Sequence, residues 1–183
     1  MATGHVEPAT PWASLGTRQV VELTLPGVAI GLISGAILGV VVAGGGEPFH
    51  VALFAAVTLG VPLALAGAGY EILVAQGRIP LGMLTPVALY WAVAFTLCRI
   101  FQTALLDLYA GSEVAVPHGW LDFVVYQALV SVGFGIGYWW LHENFAPIWW
   151  IRIRERNPVA EHLVRVKLQA VGAVEARRAA RRR

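Results

Sequence analysis

Four long apolar stretches, from about Val20 to Ala43, Phe49 to Ala75, Leu81 to Leu108 and Leu121 to His142, dominate the sequence. Only short polar or Gly/Pro-rich breaks part them. Each exceeds the roughly 20 residues that an α-helix needs to cross a hydrocarbon layer. A segment in lipid must satisfy its backbone donors and acceptors internally, so these stretches predict spanning helices. In a chain of 183 residues they leave no room for a sizeable soluble domain. Charged residues make up 13% of the chain, against about a quarter in soluble domains. The expected fold is an all-α integral membrane protein, a four-transmembrane-helix bundle with a C-terminal amphipathic interfacial helix. Its expected parts are a cytoplasmic segment 1–19, a transmembrane domain 20–142, and a juxtamembrane segment with a basic tail 143–183.

Charge placement predicts the orientation. Of 13 basic residues, all but Arg18, Arg78 and Arg99 follow Trp150. The positive-inside rule therefore puts the tail in the cytoplasm, and four spans put the N-terminus there too. Arg18 and Arg78 fall on the same side, whereas the breaks at 44–48 and 109–120 hold Glu47, Glu113 and His118 but no Lys or Arg. The segment 1–19 lacks the basic and apolar regions of a cleavable signal peptide, so the first span is expected to direct insertion. Arg outnumbers Lys, with Lys167 the only one, and Ala, Val and Gly abound, as in proteins of GC-rich bacterial genomes. A bacterial cytoplasmic membrane is the expected location.

Trp139, Trp140, Trp149 and Trp150 cluster where the fourth span should leave the inner face, and Trp120 stands at its outer entrance, as in an aromatic belt. After Asn157, a predicted N-cap, Pro158 suits the first helical position. Val159, Leu163, Val166, Ala170 and Val174 then recur at helical spacing. Trp149, Trp150, Arg152, Arg154, Arg165 and Lys167 are thus expected to anchor the tail to anionic headgroups of the inner leaflet. The alternative is a solvated basic tail.

Gly27, Gly31, Gly35 and Gly39 form three overlapping GxxxG units, a glycine-zipper pattern on one face of the first span. Such a face lets a partner backbone approach closely. Ala56, Gly60, Ala64 and Ala68 offer a matching face on the second span, and Gly133 with Gly137 a shorter one on the fourth. Packing within the bundle is the expected use, and a homodimer or another protein the alternative.

Arg99 is a basic residue well inside a span, where a charge calls for a partner or a path for water. Asp122, Tyr126 and Gln127 of the fourth span lie in the same outer layer and are its expected partners. A structural clamp is one reading, and contact with a lipid headgroup, a quinone or a partner protein is the other. Glu22 and Glu71, near the inner ends of the first two spans, are expected to be neutralised by Arg18, Arg78 or His142. Away from these ends the first, second and fourth spans carry only small hydroxyls such as Ser34, Thr58 and Ser131, an unpromising path for protons or cations.

The single Cys98 excludes an intrachain disulfide and a Cys-based zinc site. His50 and His118 fall at outer ends and His142 at an inner end, a placement unsuited to bis-His haem ligation. No HExxH, P-loop or GxSxG motif occurs, so no catalytic, cofactor or metal site is expected, and no nucleic-acid partner. The layout resembles, in topology only, small four-span accessory subunits of bacterial energy-transducing or envelope-assembly complexes. The expected function is therefore a non-enzymatic accessory or assembly subunit of a larger complex, possible homes including the respiratory chain. Its expected partners are other membrane subunits or a second copy of itself. The alternatives are a small carrier or channel in which Arg99 binds an anionic solute or lipid, and an enzyme acting on a lipid or quinone.

Overall fold

A computed structural model describes residues 11–114 and 119–181, and among them every regular element is helical. A 3-10 turn at Pro11–Ser14 precedes α1 (Thr17–Gly44), α2 (Phe49–Ala75), α3 (Leu84–Tyr109), α4 (Trp120–Ile153) and α5 (Pro158–Arg181). The first four are long and apolar enough to cross a membrane. They run antiparallel in turn, so that α1 begins, α2 meets α3, and α4 meets α5 at one end, called basal here. The opposite end is distal.

Glycines in the breaks have a geometric reason. Gly77 after α2 and Gly111 after α3 adopt φ of +72° and +69°, which turns the chain back over the helix end. The next N–H then reaches a carbonyl that the helix leaves open, Arg78 to Leu73 at 2.9 Å and Ser112 to Asp107 at 3.0 Å.

The tightest seam joins α1 and α2. Gly27, Gly31 and Gly35 oppose Gly67, Ala64 and Gly60, and a Cβ at any of the three α1 positions would overlap the backbone of α2. Gly39 continues the row against Ala52 and Ala56. Missing side chains thus bring two backbones into contact, where dispersion and weak backbone contacts hold them. Gly133 and Gly137 of α4 differ from the expectation of in-bundle packing, since a Cβ at either would meet nothing within 4 Å among the described residues. The inward row of α4 is Gln127, Ser131, Gly135, Tyr138 and His142, of which Gly135 faces Ala88 and Trp91 of α3. Gly133 and Gly137 lie off that row.

The fourth helix continues well past His142, to Ile153, through Pro147. Just beyond His142, the Glu143 carboxylate accepts from the Gly82 backbone N–H at 3.2 Å and from Lys167. The helix runs on because its polar groups find partners outside it. Asn157 caps α5 through Oδ1, which accepts from the N–H groups of Val159 and Ala160 at 3.2 Å each. Val159, Ala160, Leu163 and Val164 are buried against the basal end, while Leu168, Val171 and Val174 are exposed. The expected stripe from Val159 to Val174 therefore splits, its first half belonging to the core of the chain.

Candidate functional site

The apolar interior encloses two polar clusters, one in each half of the bundle. In the basal half, Glu71 of α2 and His142 of α4 are 0% and 1% exposed, with Oε1 and Nε2 3.0 Å apart. Aromatic rings box them in. Tyr138, one turn before His142, stacks on the imidazole at 5.9 Å between centroids, and Tyr70 and Trp150 meet it edge-on at 5.0 and 5.6 Å. Tyr90 donates its hydroxyl to the Ala66 carbonyl at 2.6 Å and so ties α3 to α2. Among the described residues, Glu71 Oε2, His142 Nδ1 and the Tyr138 hydroxyl have no hydrogen-bond partner. A carboxylate and an imidazole at this distance can pass one proton between them without changing the net charge of the pair. Burial makes the pair demanding: losing one member strands the other in a medium that solvates it poorly.

The distal cluster centres on Arg99. Its guanidinium donates to Gln102 Oε1 and, at 3.4 Å, to Gln127 Oε1, and the Gln102 amide donates to the Ala55 carbonyl at 3.2 Å. These bonds link α2, α3 and α4. Of the expected partners, Gln127 is engaged, while Tyr126 and Asp122 are exposed and make no hydrogen bond to Arg99. Gln102, fully buried, was not expected, although its place three residues after Arg99 on the same helix is a readable signal. Among the described residues Arg99 forms no ion pair.

Between the clusters stand Trp91, Phe95 and Phe134, with centroid spacings of 4.8 Å for Trp91–Phe134 and 4.9 Å for Phe95–Phe134. The hydroxyls of Ser34, Thr58 and Thr96 donate to carbonyls of their own helices at 2.8, 2.8 and 2.7 Å, and Ser131 does likewise with Ala128. They therefore link neither cluster to the other.

A third network pins the basal corner. Glu22 accepts from Arg18 at 3.1 Å and from Arg156 at 3.0 Å, while Trp149 Nε1 donates to the Glu22 carbonyl at 2.7 Å. The Gln19 side chain donates to the Arg156 carbonyl at 2.6 Å, and Asn157 donates to the Gln19 carbonyl at 2.8 Å. Expectation and structure agree on Arg18 with Glu22 and on His142 with Glu71. Two of the expected anchors have contacts within the chain. Trp150 is fully buried against His142, and the Lys167 ammonium is paired with Glu143. Arg152 and Arg154 are exposed, and Arg165 pairs with Glu161 at 2.7 Å on the surface of α5.

Among the described residues, no group of three or more His, Cys, Asp or Glu side chains is placed to hold a metal ion. His118 lies outside the described residues. Comparison with protein-family models, curated proteins and solved structures gives no match.

Proposed function

We propose that this chain is a multi-pass protein of a bacterial cytoplasmic membrane, with both termini in the cytoplasm. In this reading it is a non-enzymatic accessory or assembly subunit of a larger complex, and the respiratory chain is one candidate home. The observation that carries the reading is the open face of α4. Gly133 and Gly137 form a notch between the exposed side chains of Leu129, Ile136 and Trp140, and among the described residues nothing fills it. In lipid, where apolar burial gives no drive, small residues facing outward are the usual means by which one helix receives another. The two polar clusters are separated by packed rings and self-bonded hydroxyls, an arrangement that favours a scaffold over a transport path.

A photo-reactive side chain at Ile136 tests the proposal in native membranes, with Leu65 on the exposed face of α2 as control. The expected result is a defined protein adduct from Ile136, absent from Leu65 and lost on adding Gly137→Leu. Equal adducts from both faces, or none from either, would sink it.

A second reading keeps Arg99 as the contact for an anionic solute or lipid. It is favoured by one observation, that both side chains accepting from the guanidinium are neutral amides.

A further inference from the structure

A lateral groove of about 580 Å³ runs between α1 and α4 in the basal half of the bundle. Its α1 wall is Leu25, Ala29 and Ile33, and its α4 wall is Leu141, Phe145 and Trp149. Each set recurs every four residues, so each wall is one helical stripe. Leu25, Ile33 and Phe145 are exposed, and the groove therefore opens sideways. Followed toward the basal end, both stripes turn cationic. The α1 stripe continues through Glu22 to Arg18, and the α4 stripe through Arg152 toward Arg156. Two guanidinium groups share the one Glu22 carboxylate, whose side chain is 14% exposed, while those of Arg18 and Arg156 are 85% and 55% exposed. With Arg152 also exposed, the mouth of the groove carries a net positive charge that faces outward.

We propose that this groove is a binding site for one anionic glycerophospholipid of the leaflet at the basal end. An acyl chain lies between the two stripes, and the headgroup phosphate rests on Arg18, Arg152 and Arg156. The proposal rests on the membrane reading above but not on the accessory role. The shape of the walls selects a lipid chain over a partner helix. Close helix approach needs small residues, whereas Ile33, Leu141, Phe145 and Trp149 are bulky and leave a slot suited to a single flexible chain. The charge at the mouth selects the headgroup, because each Arg near a phosphate layer adds attraction that a zwitterionic lipid offsets with its own cation.

The full chain, delipidated in detergent, is titrated with phosphatidylglycerol or with phosphatidylcholine of the same acyl chains. Bound lipid is counted by native mass spectrometry, and thermal stability is followed in parallel. The expected result is a single phosphatidylglycerol adduct, favoured roughly tenfold over phosphatidylcholine, with a raised Tm. Ala29→Trp, which fills the groove from an exposed position, should abolish both adducts while the lipid-free Tm stays put. Ile33→Trp serves if that variant does not fold. Arg18→Gln combined with Arg152→Gln should keep chain binding and erase the preference between headgroups. Equal binding of the two lipids by the unaltered chain would overturn the proposal, as would retention of the adduct in the groove-filled variant. Occupation by a partner helix would appear as no lipid adduct at all, and also overturns it.

Discussion

His142 Nε2 stands 3.0 Å from Glu71 Oε1 and thereby bonds α2 to α4, the helices that face each other diagonally across the bundle. Neighbouring helices already share apolar contact, but this diagonal is held by a polar bond within a shell of rings.

That placement sets the first prediction. Glu71→Leu or His142→Leu alone should cost about 3–5 kcal/mol, because each strands a buried polar partner. The double variant should lose much less than the sum of the two. Unfolding in detergent measures the cycle, and additive losses would mean that the pair does not act as a unit.

The glycines separate into two groups by what a side chain would strike. Gly31→Leu and Gly35→Leu drive side chains into the backbone of α2 and should lower the yield of folded protein sharply, by at least the 1–3 kcal/mol typical of overpacking. Leu32→Phe, at an exposed position, should be tolerated, as should Gly133→Leu. Equal damage at all four positions in a folded-yield assay would contradict the seam.

Arg99 should depend on its amides and not on the nearest acidic residue of α4. Arg99→Leu and Gln127→Leu should each lower Tm and combine non-additively, since they remove the same bond. Asp122→Asn should change stability by no more than about 0.5 kcal/mol, as expected of an exposed side chain. A large loss in Asp122→Asn would restore the ion pair that the sequence suggests.

The proposed orientation is tested by thiol labelling of intact cells after Cys98→Ala. Cysteines at Gly45 and at Ser112 should react with an impermeant reagent, and one at Ala179 should react only once the membrane is opened. Labelling of Ala179 from outside would invert the topology.

Much of the fold can be read from apolar length alone. The expected second helix and α2 share the bounds Phe49 and Ala75, because Pro48 and the Gln76–Gly77 pair are local signals that no distant contact overrides. The fourth helix shows the opposite case. The sequence ends it at about His142, yet the helix continues through Glu143, whose carboxylate is satisfied by Gly82 and Lys167, far apart in sequence. Hydropathy cannot see such partners. The Glu71–His142 pair was within reach, since both residues stand near inner span ends, but the ring box was not. Tyr138, His142 and Trp150 follow one another at one-turn and two-turn spacings along α4, whereas Tyr70 comes to them from α2 only through the tertiary fold. The outward turn of Gly133 and Gly137 was likewise hidden, because helical spacing groups residues by face without saying which face looks in.

The 34 residues of α4 amount to a rod of about 51 Å, whereas a bilayer offers about 30 Å of hydrocarbon. A rod of that length crossing such a layer leaves some 20 Å to stand clear of it or to be taken up by tilt. Pro147 is the proline within that rod, and it lies two residues before Trp149, which grips α1 at the Glu22 carbonyl. Distal to Pro147, α4 contains no further proline at which to flex. A pull on α5 thus meets the corner formed by Glu22, Trp149 and Arg156 first and Pro147 next, and the proline-free arm beyond carries the notch at Gly133 and Gly137. Whatever seats itself there is joined through α4 to the C-terminal helix α5.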